Sequence, residues 1–260
     1  MIVALITGAS SGIGLEYARQ LAAGGRNLLI VSNEEKIATV ATELAQEYSV
    51  QVCPLCMDLS LSDAAQQLFD YCTNENLEVD VLINNAGIFS FKEVIETDIL
   101  RLETMMRLHI STPTMLCRLF VAKMLESKMP CYILNMSSMS AFMPNPFIAL
   151  YAASKLYLYK FSRALQMELR DSNVSVSVIC PGAVATNLYG FADNSRYMKL
   201  GLQSGIIMPV DRLVKKALHK MFKRKKKVIP GKINYLFIFL MWLIPDCVLH
   251  YAISYIRKKA

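Results

Sequence analysis

The sequence lacks the ligand pattern of a metal or redox site. Its 260 residues include seven cysteines, of which only Cys53 and Cys56 are spaced as C-x-x-C. A zinc site needs a second pair of ligands, and a redox motif needs a helix that begins at the cysteines; neither accompanies this pair. We therefore expect no metal site. We interpret Cys53 and Cys56 as two buried thiols near the end of a strand, reduced as in a cytosolic protein.

Neither a signal peptide nor a membrane-spanning run is expected from the sequence. A strand-like run begins at residue 2 with no basic stretch before it, so no signal peptide is expected. The apolar run 233–244 is cut by Pro245 and Asp246 and is shorter than the roughly 20 residues of a spanning helix. These absences favour a cytoplasmic protein, with peripheral contact with a membrane surface as an open alternative.

Acidic residues are scarce in the last part of the chain. Residues 211–260 contain 13 Lys and Arg but 2 Asp and Glu, a balance of +11, whereas residues 1–210 contain 15 and 19, a balance of −4. The basic run 223–227 precedes the apolar run, which includes the single tryptophan, Trp242. For this C-terminal extension, residues 232–260, three interpretations stay open: contact with an anionic membrane surface, a lid over an apolar substrate pocket, or a dimer contact. Nucleic-acid binding is not expected, because no aromatic stacking platform or recognition motif accompanies the lysines.

A glycine-rich turn follows the first predicted strand. Residues 2–6 are apolar and strand-like, Gly8, Gly12 and Gly14 come next, and residues 15–23 have apolar positions at helical spacing. Strand, glycine turn and helix form the context that a dinucleotide site requires. The glycines let the backbone approach the pyrophosphate, and the helix N-terminus offers free N–H groups with a partial positive charge.

Tyr151 and Lys155 are four residues apart and therefore lie on one face of a predicted helix. A free phenol titrates near pH 10, and an ammonium one turn away stabilises the phenolate and lowers its pKa toward neutrality. Ser138 follows a predicted strand, from which its hydroxyl can hold a substrate carbonyl beside the phenol. With the glycine turn, this set predicts the transfer of a hydride and a proton.

Together these motifs resemble the short-chain dehydrogenase/reductase family, over residues 1 to about 187. The matching segments are Thr7-Gly8-x-x-x-Gly12-x-Gly14, Asp58-Leu59, Asn84-Asn85-Ala86-Gly87, Asn135-Met136-Ser137-Ser138, Tyr151-x-x-x-Lys155, and Pro181-Gly182 with Thr186. The resemblance implies a Rossmann fold and a catalytic set of Ser138, Tyr151 and Lys155. It implies that Asp58 contacts the adenine, that Asn85 and Gly87 flank the cofactor, and that Thr186 meets the nicotinamide carboxamide. The implied cofactor-binding residues are Gly8, Ser10, Ser11, Gly12, Ile13, Gly14, Ser32, Asn33, Asp58, Leu59, Asn85, Ala86, Gly87, Tyr151, Lys155, Pro181, Gly182, Val184 and Thr186.

His109 stands where most members of the family have a fourth catalytic residue, an asparagine. In the family, the backbone carbonyl of that residue holds a water that leads to the lysine. In an α-helix the His109 carbonyl would accept the N–H of residue 113, but Pro113 has none, so we expect a free carbonyl near a kink. Two alternatives stay open: the imidazole takes part in proton transfer, or His109 is only a packed helix residue.

Strand-like and helical segments alternate along the chain. The predicted strands are 2–6, 27–31, 50–53, 79–83, 132–135, 174–180 and 227–230. Repeated β-α units predict an α/β fold, a doubly wound parallel sheet of about seven strands, in a single domain over residues 1–260. The irregular stretch 187–208 occupies the substrate-loop position of the family.

The end of the second predicted strand, Val31-Ser32-Asn33, lacks an acidic residue. An acid there would bind the ribose 2′-hydroxyl and exclude a 2′-phosphate. Ser32, Asn33 and Ser11 are neutral, so the sequence favours NADP(H), with NAD(H) as the alternative.

The sequence thus predicts an oxidoreductase for a ketone and secondary-alcohol pair. Tyr151 would transfer the proton, Ser138 would polarise the carbonyl, and Lys155 would bind the ribose. An apolar substrate, of fatty-acyl, sphingoid-base or steroid-like kind, is expected from Met139, Phe142, Met143, Phe147, Tyr189, Phe191 and the C-terminal extension. We expect a homodimer or homotetramer. The alternative, a catalytically idle nucleotide-binding regulator or scaffold, is disfavoured because the catalytic set is intact.

Overall fold

The computed structural model describes residues 1–186, 201, 202, 204 and 206–243, without the side chains of residues 232, 241 and 242. The predicted substrate loop 187–208 therefore lies mostly outside the described residues, and Tyr189 and Phe191 lie outside them entirely. The C-terminal extension is described as far as residue 243.

Seven parallel strands form one sheet in the order β3-β2-β1-β4-β5-β6-β7. Their bounds are β1 Ile2–Thr7, β2 Leu28–Ser32, β3 Val52–Cys56, β4 Glu78–Asn84, β5 Cys131–Met136, β6 Val174–Ile179 and β7 Lys227–Val228. The chain winds outward from β1 to β3 and then returns to place β4 on the other side of β1. The predicted doubly wound α/β fold is thereby confirmed, and this reversal is where such sheets form a ligand crevice.

Helices cover both faces of the sheet. Their bounds are α1 Gly12–Ala23, α2 Ile37–Tyr48, α3 Ala64–Asn74, α4 Ile99–Met106, α5 Thr112–Glu126, α6 Ala149–Glu168, α7 Val210–Phe222 and α8 Lys232–Leu243. Successive residues of β1 point to opposite faces: Ile6 packs in the core beneath α1, α2 and α7, and Leu5 packs in the core beneath α3 and α5. Near-continuous apolar strands are what a sheet covered on both faces requires.

The third strand differs from the prediction. It runs from Val52 to Cys56 rather than over residues 50–53, and it includes Pro54. Proline is tolerated there because β3 is at the edge of the sheet. The interpretation of two buried thiols is wrong: Cys53 is half-buried and Cys56 is exposed. An edge strand leaves side chains uncovered, and residues three apart on a strand point to opposite faces.

The connection between α4 and α5 is a π-helical turn, Arg107–Ser111, which contains His109. The N–H of Thr112 donates to the Arg107 carbonyl, five residues back. Pro113 has no N–H to continue an α-helical ladder, and the wider turn accommodates it. The interruption expected near His109 therefore takes the form of a π-helical segment.

The last described helix, α8, is apolar on almost all sides. Exposed side chains on it are Ile233, Tyr235, Leu236, Phe237, Phe239, Leu240 and Leu243. Asn234 and Ile238, one turn apart, contact the rest of the protein: Asn234 is buried, and Ile238 packs near Cys180 and Ile229. Within the part of the chain that the structure describes, no helix is both long enough and apolar enough to cross a membrane.

Candidate active site

A cleft of about 830 Å³ lies at the carboxyl ends of the strands, beside the β1–β4 reversal. The sequence-predicted residues that line it are Gly8, Ser10, Ser11, Gly12, Ile13, Ser32, Asn33, Asp58, Leu59, Asn85, Ala86, Gly87, His109, Ser138, Tyr151, Lys155, Pro181, Val184 and Thr186. Two predicted residues, Gly14 and Gly182, do not line it. Both lie behind the wall, where they allow other groups to approach closely.

The glycine turn fits tightly against α1 and against the loop after β4. A Cβ on Gly14 would be 1.9 Å from the carbonyl oxygen of Gly8, so only glycine lets α1 pack on the turn. Gly8 has a φ of +67°, and a Cβ there would be 2.8 Å from the Cα of Ala86. The Asn85 side-chain amide donates to the carbonyls of Thr7 and Gly8, at 3.0 and 3.2 Å. These contacts hold the start of α1, with its unpaired N–H groups, at the cleft.

Tyr151 and Lys155 lie in the first turns of α6, and both side chains are almost fully buried. The Lys155 Nζ lies 5.6 Å from the centroid of the Tyr151 ring and donates to the Met136 carbonyl at 3.0 Å. Burial lowers the pKa of Lys155 to about 8. The hydroxyl of Ser137 donates to the Lys155 carbonyl at 2.7 Å, which ties α6 to the end of β5.

Ser138 follows β5 and begins the short 3₁₀ turn Met139–Phe142. Its Oγ accepts the N–H of Ser140 at 3.1 Å. Because that bond uses only an oxygen lone pair, the hydroxyl hydrogen of Ser138 remains available to a ligand in the cleft. The Met139 N–H donates to the Pro181 carbonyl at 2.8 Å, so the serine turn is joined to the loop after β6.

A small second cavity, of about 10 Å³, lies between the π-helical turn and α6. Among its lining residues are His109, Pro113, Asn84 and Lys155. The Oδ1 of Asn84 is buried and accepts no hydrogen bond from the described residues. A volume of this order is just enough for one water molecule, and an unpaired buried acceptor is the kind of group such a water bonds.

Two charged residues at the rim are not predicted as site residues from the sequence. Glu34 and Lys36 line the cleft beyond β2 and form an ion pair at 2.8 Å. Hydrogen bonds from Lys36 and Ser10 lower the pKa of the Glu34 carboxyl. Ser32 Oγ donates to Ser10 Oγ at 2.9 Å and accepts the Glu34 N–H at 3.2 Å. The only sequence signal for this pair was its position just after the second predicted strand.

Aromatic side chains pair with one another in the segments that follow β4 and precede α6. The Phe89 ring meets the Tyr151 ring edge-on at 5.0 Å, and Phe91 stacks on Phe147 at 5.5 Å. Phe147 has a φ of +67°, a strained conformation for a bulky residue, held in part by a hydrogen bond from the Lys92 N–H to its carbonyl at 2.8 Å.

The helix α8 is seated directly behind this site. A Cβ on Gly182 would be 2.8 Å from the Oδ1 of Asn234, so glycine is required for the α8 side chain to reach this position. Asn234 Nδ2 also donates to the Pro230 carbonyl. On the next turn Ile238 packs against a buried cluster that includes Cys180 and Ile229, and Phe142, at the end of the serine turn, packs against the same cluster.

The chain belongs to the short-chain dehydrogenase family. Residues 2–196 match the family model described as short chain dehydrogenase. The chain is 31% identical over 194 residues to 17-beta-hydroxysteroid dehydrogenase type 3 of Mus musculus, covering 74% of this chain and 63% of that protein. It is 36% identical over 186 residues to a very-long-chain 3-oxoacyl-CoA reductase of Meyerozyma guilliermondii, covering 68% of this chain and 54% of that protein. The chain therefore matches less than two thirds of the length of these relatives.

Solved structures support the same assignment over nearly the whole chain. A short-chain dehydrogenase from Sphingobium yanoikuyae, solved in complex with NADPH, superposes with a TM-score of 0.79 at 26% identity. The match covers 94% of this chain and 97% of that one. The resemblance stated from the motifs is confirmed.

Proposed function

We propose that the protein is an oxidoreductase that interconverts a ketone and a secondary alcohol, using a nicotinamide dinucleotide. The observation that carries this proposal is that Ser138, Tyr151 and Lys155 line the cleft that the glycine turn closes at its other end. The bound nicotinamide would supply or accept the hydride. Tyr151 would give the proton to the carbonyl oxygen, and Ser138 would polarise that oxygen with its available hydroxyl hydrogen.

Lys155 would serve both the proton and the cofactor. Its ammonium has three N–H donors, and the Met136 carbonyl takes one of them. The other two would bind the cofactor ribose and a water in the small cavity, and the positive charge of the ammonium would stabilise the phenolate of Tyr151. We propose that the small cavity holds a water between Lys155 and the backbone carbonyl of His109, which would return protons from solvent to the lysine.

We propose NADP(H) as the preferred cofactor, with NAD(H) as the alternative. The residues of the cleft fit a dinucleotide: the hydroxyl of Thr186 is buried with no hydrogen-bond partner among the described residues, as a carboxamide-binding group would be. Beyond β2, Ser32 and Asn33 are neutral, and Lys36 supplies a cation at the rim that suits a 2′-phosphate. Glu34 opposes this preference, but its ion pair with Lys36 offsets the carboxylate charge.

We propose an apolar substrate of fatty-acyl, sphingoid-base or steroid-like kind. The aromatic contact of Phe89 with the Tyr151 ring supports it, as do relatives whose names refer to steroids and very-long-chain acyl groups. The test is a panel of such ketones and alcohols with both cofactors, followed at the nicotinamide absorbance. A scaffold, the second candidate, would bind cofactor and turn over no member of the panel.

We further propose that α8 and the basic run rest on an anionic membrane surface. The described part of α8 is a mostly apolar segment of 12 residues, and its exposed apolar side chains would be costly to leave in water. Lys223, Lys225 and Lys226 are exposed just before it and complement anionic headgroups. The side of α8 that bears Asn234 and Ile238 contacts the active-site wall, so an apolar substrate would enter from the lipid.

We also propose that the protein forms a homodimer or homotetramer. Neighbouring helices α5 and α6 expose Met115, Leu156 and Tyr157, and the Tyr157 hydroxyl lies 3.1 Å from that of Thr114 on the adjacent helix. Such a face suits a second copy of the same chain, because an isologous contact places each patch against itself. Light scattering of the parent and of a Met115→Glu variant tests it: a monomeric parent would exclude the dimer.

A further inference from the structure

The imidazole of His109 joins two parts of the active site that no other described side chain links in this way. Its Nε2 accepts the N–H of Ile88, in the loop after β4, at 3.1 Å. Its Nδ1 lies 2.9 Å from the Oγ of Ser154 on α6. The Ser154 hydroxyl in turn donates to the carbonyl of Tyr151 at 2.8 Å. One continuous chain of hydrogen bonds therefore runs from Ile88, in the loop after β4, through His109 and Ser154 to the backbone carbonyl of Tyr151.

The direction of every hydrogen bond in this chain is determined. A backbone N–H can only donate, so the Nε2 that faces Ile88 carries no proton. Ser154 has one hydroxyl hydrogen, which the Tyr151 carbonyl accepts, so the serine oxygen must accept from Nδ1. The arrangement is consistent only with a neutral imidazole protonated on Nδ1.

The surroundings of the ring support the neutral form. His109 is buried, and burial together with the neighbouring charge of Lys155 lowers its pKa well below the usual range. Tyr151 is the other titratable group against the ring, with ring centroids 5.6 Å apart and edge-on. The loop also fits the ring closely, since a Cβ on Gly87 would be 2.7 Å from Nε2.

We propose that the His109 imidazole, as the neutral Nδ1–H tautomer, is a positioning residue that fixes the Tyr151 end of α6 relative to the Ile88 loop. It does not exchange protons with the substrate, because both nitrogens are engaged by Ile88 and Ser154. The proposal rests on the proposed role of Tyr151 and goes beyond the carbonyl role of His109. A side-chain substitution at His109 would leave a water on its backbone carbonyl in place, but it would break the chain of hydrogen bonds between Ile88 and Ser154.

The tautomer can be measured directly. The sequence contains three histidines, so nitrogen NMR of histidine-labelled protein gives three ring pairs, and His219→Asn and His250→Asn assign two of them. We expect the remaining pair at pH 7 to be protonated on Nδ1 and unprotonated on Nε2. An Nε2–H tautomer or a charged ring would overturn the proposal, whether or not the protein shows dehydrogenase activity.

Kinetics then test positioning. Ser154→Ala and His109→Ala should each lower kcat about tenfold, the scale of one lost positioning bond, with the cofactor Kd nearly unchanged. Because both break the same chain, the double variant should be no slower than the slower single variant. Ser162→Ala is the matched control: Ser162 is a buried serine two turns further along α6 that bonds Asn135 and the Leu158 carbonyl. Because Ser162 is outside the chain of hydrogen bonds, the kcat of Ser162→Ala should remain within about twofold of the parent, which corresponds to a change of about 0.4 kcal/mol in the activation free energy.

Two conservative variants test the two hydrogen bonds of the His109 ring separately. His109→Asn presents an amide near the Nδ1 position and can keep the bond to Ser154, whereas His109→Gln reaches the Nε2 position and can keep the bond from Ile88. Each should recover part of the kcat lost in His109→Ala. Multiplicative losses in the double variant, or no recovery by either amide, would contradict the positioning role. The NMR result does not depend on dehydrogenase activity. Failure of the proposed function can therefore be distinguished from failure of the proposed His109 tautomer.

Discussion

The ammonium of Lys155 lies 5.6 Å from the centroid of the Tyr151 ring, inside the protein, with the Met136 carbonyl as its hydrogen-bond acceptor in the fold. Burial of a cation lowers the stability of the folded protein, and here the buried cation faces the cleft. Positions where a charge is retained at the expense of stability are typical of functional sites.

Replacement of Lys155 by Met should increase stability at neutral pH. The drop of its pKa from 10.5 to about 8 corresponds to roughly 3 kcal/mol. The folded protein binds this proton less tightly than the unfolded chain, so the penalty is fully present below pH 8 and disappears as the pH rises to 10.5. Urea unfolding at several pH values should show the advantage of Lys155→Met shrinking by about 3 kcal/mol over that interval. A difference that does not change with pH would show that Lys155 is not buried as a cation.

Cofactor choice should respond to charge beyond β2. Asn33 is exposed and lines the cleft, so Asn33→Asp adds a carboxylate without burying it. We expect it to weaken NADP(H) far more than NAD(H), through repulsion of the 2′-phosphate, and Ser32→Asp to act in the same direction. Lys36→Met should weaken NADP(H) about tenfold, the scale of one charge-assisted hydrogen bond, and spare NAD(H). Fluorescence titrations with NADPH and with NADH measure the affinities of the parent and of the three variants; a parent that prefers NAD(H) would contradict the assignment.

The inner side of α8 should act as a lid for large substrates. Ile238 packs against the same buried cluster as Phe142, at the end of the serine turn. We therefore expect Ile238→Ala to raise the Michaelis constant for a long apolar substrate more than for a small ketone. Deletion of residues 233–260 should have the larger effect in the same direction. Leu240→Ala, on the exposed side, is the control. If a folded truncated protein had the same Michaelis constants as the parent for both substrates, α8 would not be a lid.

The outer side of α8 should bind lipid. The parent should pellet with vesicles of mixed phosphatidylserine and phosphatidylcholine but not with phosphatidylcholine alone, and high salt should release it. Leu236→Asp should abolish pelleting, whereas Met167→Asp, equally an exposed apolar position but on α6, should not. Replacing Lys223, Lys225 and Lys226 by Glu should have the same effect as salt. Recovery of the parent in the supernatant with both kinds of vesicle would show that the outer side of α8 does not bind lipid. Self-association of the parent that Leu236→Asp removes would show that this side binds a second copy of the chain instead.

Much of the fold could be predicted because apolar strands, turns and helical periodicity repeat along the chain. The glycine turn and Tyr151-x-x-x-Lys155 placed their residues at the cleft because each motif is local in sequence. The third strand was misplaced because tolerance of Pro54 depends on β3 being at the sheet edge, which is a tertiary property. The Glu34–Lys36 pair and the His109–Ser154 bond were missed for the same reason: their positions follow from how the loops meet around the cleft.

Tyr151→Phe tests the central claim most directly. The change removes only the phenolic oxygen and its proton, so the cofactor should still bind while turnover of a substrate found in the panel falls by at least about a hundredfold, the low end of general acid–base catalysis. Tyr157→Phe is the matched control, because Tyr157 is on the same helix but does not line the cleft, and its hydroxyl faces Thr114. We expect Tyr157→Phe to keep the parent rate. Turnover by Tyr151→Phe within a few-fold of the parent would contradict the assignment of Tyr151 as the proton donor.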